Sequence, residues 1–162
     1  MADPYFSEIK YLGGPTLDFI EVAVDAGTDV SSLVVTIYNS NGSIRSSNPL
    51  DGLTATTVAG KDIYVIDSST ATFTGLAKHN AIALSDDTGV YAFYSFDDNA
   101  ATVTATEGPA LGEGPSTEIG MAGAGESLET TDGGTTYVVQ PNPSPGSIPC
   151  LTAGTMVSTD QG

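Results

Sequence analysis

Ser32-Leu-Val-Val-Thr-Ile-Tyr-Asn-Ser-Asn-Gly42 decides the class of fold. Its first part is β-branched and aromatic, which suits the pleated surface of a strand. The Asn-Ser-Asn-Gly that follows is turn chemistry, since Asn and Gly accept left-handed backbone and Asn can bond its own main chain. Working outward, the pattern recurs. Leu17-Asp-Phe-Ile-Glu-Val-Ala-Val24 alternates, and Phe6-Ser-Glu-Ile-Lys-Tyr11 has strand-compatible spacing. Ser43-Ile-Arg45 starts a short partner strand, and further strands are predicted over 54–58, 61–66, 79–84 and 90–96. Turns fall between them at Asp51-Gly52, Ala59-Gly60 and Asp86-Asp-Thr-Gly89. No segment carries a sustained helical stripe; a short helix over 71–76 is the one exception considered. Short strands at this spacing predict an all-β sandwich or barrel.

Composition agrees. The 162 residues suit one domain plus a tail. The 40% of apolar residues can build a core without Trp, and 19 glycines favour turns over long helices. Twenty acids face four bases, giving a formal charge of −16. Lys10, Arg45, Lys61 and Lys78 form no cluster able to replace phosphate counterions, so neither nucleic acid nor an anionic membrane surface is an expected partner. Acids in this number read first as a solvated surface. No run reaches the length of a membrane helix, and residues 1–10 do not resemble a secretory signal peptide. The one cysteine, Cys150, rules out an intrachain disulfide.

From Glu107 the chain becomes rich in Gly, Pro and acids, which predicts a long loop over the sandwich, interrupted by residues 116–121. Closing strands follow over 127–130 and 135–140, joined by Asp132-Gly-Gly134. Pro141-Asn-Pro-Ser-Pro-Gly146 then ends strand pairing and reads as a stiff linker, because proline lacks an N–H and fixes φ.

Two stretches resemble known families. Phe6-Ser-Glu-Ile9, Asp18-Phe-Ile-Glu21, Gly27-Thr-Asp-Val30, Asp62-Ile-Tyr-Val-Ile66 and Ala83-Leu-Ser-Asp-Asp-Thr-Gly-Val90 resemble, in order, the motifs of the lamin-tail-like domain. That resemblance spans roughly residues 5–146 and implies an immunoglobulin-like antiparallel β-sandwich used for binding or tethering, without catalysis. Cys150-Leu-Thr-Ala-Gly-Thr-Met-Val-Ser-Thr-Asp-Gln-Gly162 is similar to the first block of a Hint domain, the hedgehog/intein self-processing fold. The likeness rests on Cys150, Leu151, Gly154, Thr155, Met156, Val157, Thr159 and Gly162. It implies that Cys150 is a nucleophile and that the bond between Pro149 and Cys150 is cleaved in a longer parent chain. The base and oxyanion donors of that family come from a downstream Thr-x-x-His block and a late His, so Cys150 is expected to be inert in this stretch alone. The implied organisation is a sandwich over 1–140, a linker over 141–149 and the start of a Hint domain over 150–162. Residues 147–162 are expected to pack poorly, because their partner strands lie outside this stretch.

Other constellations are weaker. Asp86, Asp87, Asp97 and Asp98 flank one hairpin and form the candidate Ca²⁺ site, although turn chemistry also explains them. His79 has no second His or Cys nearby, and no Gly-x-Ser-x-Gly elbow is present. Gly120-Met-Ala-Gly-Ala-Gly125 lacks the strand–helix context of a nucleotide loop and reads as a flexible loop. The expected function is a non-catalytic, secreted or cell-surface module. Its expected partners are the downstream Hint domain and a protein or glycan ligand. The alternative is a stand-alone structural or adhesive sandwich with Ca²⁺ as candidate ligand, and a self-contained hydrolase is the third class.

Overall fold

Eight strands fill the first two-thirds of the chain: β1 Tyr5–Lys10, β2 Phe19–Asp25, β3 Val34–Tyr38, β4 Ile44–Pro49, β5 Thr56–Val58, β6 Lys61–Ile66, β7 Ala81–Asp86 and β8 Gly89–Ser95. Three short ones follow, β9 Thr117–Glu118, β10 Ser127–Glu129 and β11 Val138–Gln140. The computed structural model describes residues 2–96 and 102–147. The strands form two sheets, ordered β11-β10-β1-β2-β6-β5 and β4-β3-β7-β8-β9. All pairings are antiparallel except β8 with β9. The chain is therefore an all-β sandwich, as the strand and turn pattern predicts.

Register follows from which face of each strand must leave water. Ile20, Val22 and Val24 of β2 alternate inward and meet Ile9 and Phe6 of β1 and Tyr64 and Ile66 of β6. Val35 and Ile37 of β3 pair with Leu84 and Ile82 of β7 from the other layer. These side chains form the main core with Leu50, Phe96 and Leu128. Tyr11 lies in the same core, stacked on Phe96 with ring centroids 4.1 Å apart and planes 6° apart. Its hydroxyl accepts a 2.9 Å bond from the Ala122 N–H, which fastens the Gly-rich loop. Tyr11→Phe keeps the ring but orphans that buried donor. We expect a loss of about 1–3 kcal/mol in thermal unfolding, and a loss under about 0.5 kcal/mol would show that the donor finds another acceptor.

Part of the outer face of the five-stranded sheet is also covered. Ala81 and Ala83 of β7, with Tyr38 and Phe93, form a second cluster with Val103, Ala105 and Ala110 of the 102–112 loop. Small side chains on β7 let that loop approach the sheet. Tyr38 pins it, donating from its hydroxyl to the Glu107 carbonyl (2.9 Å) and accepting from the Ala110 N–H (3.0 Å). Burial on both faces explains why β7 reads as a continuous apolar run rather than an alternating one.

Two expectations need correction. Residues 71–76 form no helix. The Phe73 N–H closes a turn on the Thr70 carbonyl, and the Arg45 guanidinium holds the carbonyls of Thr74 and Gly75. Thr72 and Thr74 favour such extended or turn backbone over helix. The partner strand starting at Ser43 is longer than expected: β4 runs to Pro49, where proline's missing N–H costs nothing at a sheet edge.

Candidate functional site

Pro149 and Cys150, the expected cleavage junction, lie outside the described residues, as do Asp97 and Asp98. The structure does describe the approach to that junction. Residues 141–147 leave β11 and cross the outer face of the six-stranded sheet rather than departing from the sandwich.

Two glutamates hold this strap. Glu8 of β1 and Glu21 of β2 are cross-strand partners, so their side chains stand next to each other on the outer face. A bulge at Ser7, between Phe6 and Glu8, turns the Ser7 hydroxyl toward Glu21. Both carboxylates are fully buried. Glu8 accepts bonds from the Ser127 hydroxyl (2.6 Å), the Ser144 N–H (3.0 Å) and the Ser144 hydroxyl (3.3 Å). Glu21 accepts bonds from the Ser7 hydroxyl (2.7 Å) and the Gly146 N–H (2.7 Å). Gly146 has φ of 87°, a backbone region that strongly favours glycine. The strap's prolines have no N–H to offer, so the intervening Ser144 and Gly146 supply the donors.

Among the described residues no cation is bonded to this pair, and the one ion pair joins Lys61 to Asp25, 2.7 Å apart at another part of the sheet. Lys10 is on β1 with Glu8, but its ammonium donates to the carbonyls of Ala124 and Glu126. Glu129 of β10 pairs in register with Glu8, which places three carboxylates in a row across adjacent strands. Burial is the largest influence on Glu21 and disfavours its charged form. The Ser7 and Gly146 bonds oppose this, and the nearby Glu8 and Glu129 reinforce it, so the Glu21 carboxyl is pushed up to about 7. Glu129 is raised for the same leading reason, burial, with Gln140 donating against the shift.

Asp86 serves turn geometry. It accepts from the N–H and hydroxyl of Thr88 (2.8 and 2.6 Å) and from the Tyr91 hydroxyl, which together hold its carboxyl below the usual range. Both Asp86 oxygens therefore already have protein donors, while Asp87 is exposed. His79 is exposed as well. Asp132 is the strongest turn acid: bonds from Thr130, Thr135 and Thr136 hold the β10–β11 turn and bring its carboxyl down to about 2.

A concave region of about 460 Å³ opens beside Tyr5, Tyr91 and Tyr94. The Lys61 ammonium sits 5.6 Å from the centre of the Tyr5 ring, and the Tyr94 ring packs edgewise on Tyr137 at 5.5 Å. Aromatic faces beside polar groups suit a ligand with both apolar and hydroxyl surfaces.

Sequence reading took the acids as solvated and so missed the Glu8–Glu21 clamp. A signal existed at Glu21: it interrupts Phe19-Ile-Glu-Val-Ala-Val24, where both faces are otherwise apolar. A strand buried on both sides cannot solvate a carboxylate from either face. No family model, curated protein or solved structure matches the chain.

Proposed function

We propose that the sandwich is a non-catalytic binding or tethering module, of the lamin-tail-like kind, carried ahead of a Hint-type self-processing domain that begins at Cys150. The observation that carries this reading is the placement of the exit segment. Glu8 and Glu21 hold Ser144 and Gly146, and Gly146 stands only three residues before Pro149. This docking supports a sandwich that positions the chain leading to the junction that the Cys150–Gly162 motif marks. In that chemistry the Cys150 thiolate attacks the Pro149 carbonyl, the acyl group moves from nitrogen to sulfur, and the Cys150 amine is freed. Water or an added thiol then displaces the sulfur, and residues up to Pro149 leave as the released module.

The Tyr5–Tyr91–Tyr94 region supports a ligand-binding role and suits a glycan or a protein loop. Secretion or surface display fits the acidic, turn-rich composition.

Mass spectrometry of the full-length gene product tests the reading. The expected product in the presence of thiol is a fragment ending at Pro149, and Cys150→Ala should leave the precursor whole. An uncleaved parent under those conditions would overturn the processing role. A natural reading frame closing at Gly162 would instead favour a stand-alone adhesive sandwich.

A further inference from the structure

The strap is held by two adjoining, fully buried carboxylates, and among the described residues no cation is bonded to either. We propose that residues 141–147 form a proton-gated strap, docked on the sheet while Glu21 carries a proton and lifted when Glu21 ionises beside Glu8.

The geometry of the contacts carries this. Two neighbouring carboxylates cannot both stay charged in a dry site at low cost, and the strap lies bonded across both of these. Glu8 accepts from three donor groups and Glu21 from two, so Glu21 is the less satisfied anion. A neutral Glu21 keeps both partners in the docked state, with a weaker bond from the Gly146 N–H than the charged form has. Its Oε2 still accepts the Gly146 N–H, and its Oε1 hydroxyl can donate to Ser7, whose own hydroxyl rotates to accept. A charged Glu21 must either remain buried next to another charge or reach water, and the strap is bonded to it through Gly146 without being part of the β1–β2 ladder.

The groups around Glu21 leave this balance intact. On β1, Glu8 is its direct neighbour, with Tyr5 and Lys10 farther along the same face. On β10 stands Glu129. On β6 the residue opposite is Val65, and Lys61 lies at the far end, bonded to Asp25 of β2. The strap itself has no ionisable side chain. Burial raises Glu21 to about 7, which places the change in an accessible range.

The inference rests on the proposed function only for its consequence. In acid the chain leading to Pro149 is held against the sandwich, and toward neutrality it is freed for the Cys150 chemistry. The docking itself can be measured on the 162-residue chain, with no cleavage involved.

Amide hydrogen exchange, corrected for the intrinsic pH dependence of exchange, reads it directly at Ser144, Gly146 and Ser147. Between about pH 5 and about pH 8 the protection of Gly146 should fall at least roughly tenfold, while core amides of β2 keep theirs. Glu21→Gln keeps an acceptor for Gly146 and a donor for Ser7 but cannot ionise. It should stay protected throughout. Glu8→Gln removes the neighbouring charge and should shrink the pH effect. Protection of Gly146 that is flat with pH in the parent, or that falls equally in Glu21→Gln, overturns the gate. A pH-gated strap on a precursor that never cleaves would leave the gate standing and remove only the processing role.

Discussion

Glu21→Gln should make the sandwich harder to unfold in urea at about pH 8, by about 2–3 kcal/mol, and change little at about pH 4. The sign follows from the direction of the shift. Burial raises the Glu21 carboxyl from 4.5 to about 7. A raised acid binds its proton more tightly in the folded than in the unfolded chain. Its stabilisation is therefore complete below 4.5 and is lost as the pH climbs through about 7. At about 1.36 kcal/mol per pK unit, this interval sets an upper limit near 3 kcal/mol. Strap opening lowers that limit, because the folded chain takes whichever is cheaper, the buried charge or the lost strap contacts. Glutamine avoids both. Acids with lowered values act in the opposite direction but at lower pH: Asp132, near 2, loses its contribution only in strong acid. Equal urea midpoints for parent and variant at about pH 8 would show that Glu21 carries its charge without penalty.

The second large effect is expected at Gly42. Its φ of 90° is already adverse for any L side chain. A Cβ there would also lie 2.2 Å from the Thr104 carbonyl oxygen and 3.1 Å from the Thr106 nitrogen. Both obstacles are backbone, and the Thr106 N–H is bonded to the Gly42 carbonyl at 2.9 Å, so neither side can yield freely. Gly42→Ala should cost about 3–5 kcal/mol, combining left-handed strain with overpacking, and lower Tm by roughly 10 °C. Gly52→Ala is the control. Its φ is 93°, but nothing lies within 4 Å of the added carbon. Strain alone should cost about 1–2 kcal/mol there. Equal losses at the two positions would mean that the 102–112 loop is not packed against the β3–β4 turn.

The same contrast shows what could be read from the sequence. Asn39-Ser-Asn-Gly42 announces a turn, and Gly42 does sit in the left-handed region. Nothing local says that a carbonyl from 62 positions later rests against that glycine. Likewise, Pro141-Asn-Pro-Ser-Pro-Gly146 correctly marks the end of strand pairing after β11, but whether such a segment departs or docks depends on what the sheet offers it. Glu8 and Glu21 are 13 residues apart in sequence; Glu8 resembles an ordinary surface acid, the apolar flanks of Glu21 mark it as buried, and only register places the two side by side.

By itself, the sequence determined the all-β class, most strands, the turns between them and the break after Gln140. These depend on neighbours a few positions away: side chains alternate along a strand, and glycine and proline act through their own backbone angles. Only the tertiary structure decided the two-sheet order, the partial burial of the outer faces and the clamp on residues 141–147. Those depend on distances between segments far apart in the chain, where the same carboxylate is solvated or dry according to what is laid over it.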